Sequence, residues 1–116
     1  MATKPMTPLA LARQVLDIEL AGLKAVRSHL DAQFTAAVEI LAEALAERNK
    51  LVVVGIGKSG NIGQKIAATF NSTGATSVLL DPANALHGDI GLLDDGDVVL
   101  ALSYSGESDE LVNLLG

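Results

Sequence analysis

The feature that most limits the fold is a short apolar run, Leu51-Val52-Val53-Val54, that leads directly into Gly55-Ile56-Gly57-Lys58-Ser59-Gly60. An apolar stretch this short, closed by glycine, reads as a strand buried on both faces. Such a strand belongs in a parallel sheet covered by helices. The glycine segment is then a tight turn into a helix over Asn61–Thr73, with Ile62, Ile66 and Phe70 facing inward and Gly74 as a left-handed stop. Thr76–Leu80 reads as a second strand and Ala83–Leu86 as a single helical turn. Asp94-Asp95-Gly96 is a turn signal, Asp97–Leu102 a third strand, and Glu107–Leu115 the start of another helix.

Upstream the character changes, and Gly22 is the only one of the 11 glycines before Gly55. Thr7-Pro8 is a helix start, with a capping hydroxyl ahead of proline at the first helical position. Leu11, Val15, Ile18, Gly22, Ala25 and Val26 then form one helical face. Asp31 is placed to cap a second helix with Phe34, Val38, Leu41 and Leu45 as its stripe. The two helices either form an antiparallel hairpin or send the first to a neighbouring subunit. The whole predicts an α/β fold: a three-layer parallel sheet of Rossmann or flavodoxin type, preceded by helices. Residues 1–48 are read as a helical segment and 49–116 as the first half of the sheet domain. Aromatics are only 3 % of the 116 residues, so the core must be aliphatic. Three strands leave an open edge, so the sequence is expected to be truncated at Gly116 and inactive alone.

Charge and composition remove several function classes. The net charge is −6 with no basic run, so no nucleic-acid or anionic membrane partner is expected. No apolar stretch reaches the roughly 18 residues of a membrane span. Cysteine is absent, which excludes disulfides and thiolate metal sites. No secretory signal pattern is visible, and a cytoplasmic setting is the expectation.

Two loops carry the chemistry. The first matches G-x-G-x-x-G between strand and helix, and Asp81 follows Gly60 by about 20 positions, where a ribose-binding acid would stand. That pattern keeps a dinucleotide site open; a plain tight turn also explains it. A phosphate-binding P-loop is excluded, because the glycine it needs is Val52. The second loop, Ser103-Tyr104-Ser105-Gly106-Glu107-Ser108-Asp109-Glu110, sets hydroxyls and backbone N–H groups at a helix start, where an anion is favoured. Simple capping needs one hydroxyl rather than several.

This second loop resembles the S-x-S-G-x-[ST]-x-E signature of sugar isomerase (SIS) domains. Together with the first loop, the run Ala67–Gly74 and His87-Gly88-Asp89, it is similar to the arabinose-5-phosphate isomerases that supply Kdo for lipopolysaccharide, over about Leu51–Leu115. The resemblance implies interconversion of arabinose 5-phosphate and ribulose 5-phosphate through an enediol. It implies Lys58 and Glu110 as catalytic residues. It implies Gly57, Ser59, Gly74, Ala75, Asp81, His87, Ser103, Ser105, Gly106 and Ser108 as substrate contacts. No cofactor is required by it. Zinc at Asp81 and His87 is conceivable, although the family commonly has histidine where Asp81 stands. The resemblance further implies a phosphorylated sugar as ligand, a homo-oligomer, commonly a tetramer, and a further Glu, a further His and CBS domains downstream. The alternatives are a non-catalytic phosphosugar-sensing module and, behind it, the dinucleotide binder.

Overall fold

The computed structural model describes residues 3–82 and 89–106. The chain divides into two compact units, Met1–Ala36 and Ala37–Gly116.

In the first unit α1 spans Pro8–His29. The Thr7 hydroxyl accepts from the Ala10 N–H at 3.1 Å, Pro8 occupies the first turn, and Leu30 leaves in extended backbone. The expected apolar face forms, yet no residue of α1 is buried. The second helix, α2 (Ala32–Ala46), starts at the expected cap: Asp31 Oδ1 accepts from the Gln33 N–H at 2.9 Å.

The second unit holds the sheet. Its strands are β1 (Leu51–Gly55), β2 (Ser77–Leu80) and β3 (Val98–Leu102), all parallel in the order β2-β1-β3. The helix α3 (Lys58–Ser72) connects β1 to β2. The central strand is buried on both faces as its sequence demands, with Leu51, Val52, Val53 and Val54 all 0 % exposed. Side chains alternate across the pleat. Val52 and Val54 pack with Leu80 on one face, against Leu93 and Val78. Leu51 and Val53 pack with Ala67 on the other, against Leu41 of α2 and Ile66 and Phe70 of α3.

Three expectations need correction. The helix α3 begins at Lys58 rather than Asn61, because the turn is completed by Gly57 at φ +59. Ile62 faces out and is 59 % exposed, since the inward line of α3 runs through Gly63, Ile66, Ala67 and Phe70. On α2 the buried residue is Ala44, with Leu41 packed on the core, whereas Phe34 and Val38 stay exposed. A 3-10 helix over Asp89–Leu92 was not anticipated. Gly74 does take the left-handed conformation, at φ +89. The helical turns expected at Ala83–Leu86 and Glu107–Leu115 lie outside the described residues.

Polar clamps fix the starts of the strands. Lys50 Nζ donates to Asp94 Oδ2 at 2.9 Å and to Asp97 Oδ2, while Asp97 accepts from the backbone N–H of Lys50 (3.0 Å) and of Asp94 (2.8 Å). The Lys50 ammonium and its own backbone N–H hold the Asp97 carboxyl down at about 2, and the two carboxylates raise the Lys50 pKa. At β2, Asn71 donates to the Ser77 carbonyl and accepts from its N–H, both at 2.8 Å. That pair replaces two ladder partners that an edge residue lacks.

Candidate functional site

Parallel sheets gather loops at the C-terminal ends of their strands, and ligands bind there. In this chain that end is shaped by the turn from β1 into α3. A Cβ on Gly55 would lie 2.8 Å from the Ser59 carbonyl atoms, and one on Gly60 would lie 2.8 Å from the Gly55 oxygen. Only glycine at both positions lets the first turn of α3 sit this close to the strand end. Lys58 is thereby the first residue of α3, exposed, with Ser59 half-buried behind it. No side chain caps this helix start. Its leading N–H groups and its dipole therefore favour an anion nearby.

Two clefts flank the turn. On the β3 side, Ser59 meets Ser103 and Ser105 in a cleft of about 230 Å³, walled by Ile56, Leu102 and Tyr104. The Ser103 hydroxyl accepts from the Gly106 N–H at 2.8 Å, and Gly106 takes φ +73 to close the turn. Part of the hydroxyl capacity of Ser103 thus shapes the loop, and its own proton remains for donation. Tyr104 is wholly exposed at the rim. On the β2 side, Asp81 faces Gly57 and the other turn glycines across a cleft of about 320 Å³. Asn61 and Gln64 complete that cleft.

The sequence candidates therefore divide. Ser59, Ser103, Ser105 and Gly106 come together at one cleft, and Gly57 and Asp81 at the other. Lys58 stands at the start of α3 between the two loops' strands. Gly74 and Ala75 lie at the opposite end of the sheet, in a separate cleft of about 350 Å³ with Arg48 and Asn49, so a single chain does not join them to the rest. His87, Ser108 and Glu110 lie outside the described residues. Asn61 and Gln64 were not singled out from sequence. Their three-residue spacing on the turn-facing side of α3 was the available signal. Among the described residues no three His, Cys, Asp or Glu side chains cluster as a metal site requires, and His87, expected beside Asp81 for zinc, lies outside them. Among them, too, no helix is long and apolar enough to cross a membrane.

Comparison with known proteins agrees with this fold. Residues 44–116 match the SIS domain family. The arabinose 5-phosphate isomerase of Salmonella typhi is 45 % identical over 103 residues, which is 89 % of this chain and 30 % of the relative. The arabinose 5-phosphate isomerase of Francisella tularensis is 38 % identical, over 90 % of this chain and 32 % of the relative. The chain thus spans about 30 % of the length of the curated relatives it matches. Among solved structures, a phosphosugar isomerase from Bacteroides fragilis, described as putative and as involved in capsule formation, superposes with a TM-score of 0.80 at 36 % identity, covering 90 % of this chain and 56 % of that one. An E. coli CFT073 protein in complex with A5P superposes with a TM-score of 0.77 at 35 % identity, covering 95 % of this chain and 58 % of that one. By sequence and by fold alike, this chain belongs to the SIS domain family.

Proposed function

We propose that the complete gene product is an aldose–ketose isomerase that interconverts arabinose 5-phosphate and ribulose 5-phosphate. The observation that carries this reading is the hydroxyl-lined cleft of Ser59, Ser103 and Ser105 beside an uncapped helix start that also bears Lys58. Hydroxyls and helix N–H groups are phosphate ligands, and an ammonium beside them is an electrophile. Relatives named for this reaction, and a solved relative in complex with A5P, support the choice of sugar.

The chemistry asks little more than this arrangement. Removal of the C2 proton from the open-chain aldose by a base, with the electron pair moving toward the carbonyl oxygen and that oxygen then taking up a proton, gives an enediol. Return of a proton to C1, with the O2 hydroxyl proton passing to a base, gives the ketose. The phosphate held by the serines fixes the sugar, and Lys58 stabilises the negative oxygen as it develops. Glu110 is proposed as the base by motif correspondence. The residues that complete the reaction, the assembly of several subunits and a role ahead of Kdo are part of the same proposal.

Lys58→Ala tests the reading. It should lower kcat at least ~100-fold, as loss of one oxyanion donor does, while sugar-phosphate affinity changes little. Unchanged turnover in that variant would remove Lys58 from the chemistry. Sugar-phosphate binding without turnover in the wild-type protein would favour a sensing module instead.

A further inference from the structure

The cleft on the β2 side of the glycine turn has a chemical character of its own. Among the described residues that line it, the polar side chains are Asn61, Gln64 and Asp81, and none is a lysine or arginine. A carboxylate in the lining makes it a poor setting for a phosphate dianion. Two carboxamides and a carboxylate suit uncharged hydroxyls instead, because a carboxamide both donates and accepts, as each hydroxyl does. The neighbouring cleft has the reverse character, with three serines and a helix start. The two clefts share the Gly55–Gly60 turn as a common wall, one bordered by Ile56 and Ser59, the other by Gly55, Gly57 and Gly60. A phosphorylated chain that crosses the turn has its two ends in unlike surroundings.

We propose that Gln64, with Asn61 beside it one helical turn earlier, reads the hydroxyl-bearing carbons of the sugar and so determines substrate specificity. This rests on the sugar-phosphate reading above, and it assigns the molecule a direction: phosphate on the β3 side, polyol on the β2 side. Gln64 is the residue to perturb, because it is exposed on α3 and packs in neither apolar cluster. Methionine at this position keeps length and helix propensity while removing both hydrogen-bonding groups.

The test measures binding of arabinose 5-phosphate and of propyl phosphate to the complete gene product, wild type and Gln64→Met, by calorimetry. Propyl phosphate keeps the phosphate and a short chain but carries no hydroxyls. Gln64→Met should weaken arabinose 5-phosphate about three- to tenfold, the worth of one neutral hydrogen bond, and leave propyl phosphate unchanged. Equal weakening of both ligands, or of neither, overturns the role of Gln64 while wild-type binding of the sugar phosphate leaves the proposed function standing. Failure of the wild type to bind either ester overturns the sugar-phosphate reading, and this inference with it.

Discussion

Gly60→Ala is the most informative single substitution in the described chain. The added Cβ would stand 2.8 Å from the Gly55 carbonyl oxygen and 3.3 Å from its carbon. Both are backbone atoms of the buried central strand, so neither can rotate away. Relief requires the first turn of α3 to retreat by roughly 0.5 Å, the shortfall from an ordinary carbon–oxygen contact. Overpacking of this kind costs about 1–3 kcal/mol, and alanine returns up to about 1 kcal/mol of helix propensity. The net expectation is a loss of about 1–2 kcal/mol. The functional loss should be larger in proportion. The same retreat carries Lys58 and Ser59 away from the Ser103–Gly106 turn, and a misplacement of ~1 Å can cost ~100-fold in rate. About a tenfold fall in kcat/KM is expected for half that distance. Thermal unfolding and a ketose-formation assay on the complete gene product read both effects. Gly22→Ala is the control, because nothing lies within 4 Å of its added Cβ and it should gain about 0.5–1 kcal/mol. A Gly60→Ala protein with unchanged melting and unchanged turnover would refute the claim that this close approach positions the site.

The clamps at the strand starts give further expectations. Asp97→Ala removes the acceptor of two backbone N–H groups and should destabilise by about 1–3 kcal/mol in chemical denaturation. Because the Asp97 carboxyl is lowered from 3.8 to about 2 in the folded protein, its stabilisation is complete above pH 3.8 and disappears as pH falls toward 2. Unfolding titrations should show this acid component in the wild type and lose it in Asp97→Asn. The raised Lys50 pKa acts in the opposite direction: its contribution holds below 10.5 and fades as pH climbs beyond it. Asn71→Ala leaves the Ser77 N–H and carbonyl without their side-chain partners in a residue only 5 % exposed, for a loss of about 2–4 kcal/mol in the same assay.

The central strand and the glycine turn were legible in the sequence because each is a local signal. Four apolar residues in a row can hardly be anything but buried, and the spacing of Gly55, Gly57 and Gly60 states where the backbone must pass closely. The parallel order followed from the alternation of strands and helices. What sequence missed depends on distance in the chain or on orientation. Asp94 read as a turn residue and Asp97 as the first residue of the third strand, since nothing local announces that Lys50 will bridge them. Ile62 fits an apolar spacing, but the inward line of α3 runs through Gly63, Ile66, Ala67 and Phe70 and leaves it outside. At the site, Ser103 and Ser105 were singled out because hydroxyls gather in their loop, and Ser59 only through the family resemblance of its turn. Asn61 and Gln64 were not singled out, because only the return of the chain along β2 sets Asp81 opposite them. Gly74 and Ala75 show the converse: the motif includes them, and the topology carries them to the other end of the sheet.

The central claim is best tested by incubating the complete gene product with arabinose 5-phosphate and following the mixture by NMR. The account predicts that ribulose 5-phosphate appears until the two sugars reach equilibrium, and that the Lys58→Ala protein produces almost none. Arabinose 5-phosphate that binds the wild-type protein and is recovered unchanged would contradict it.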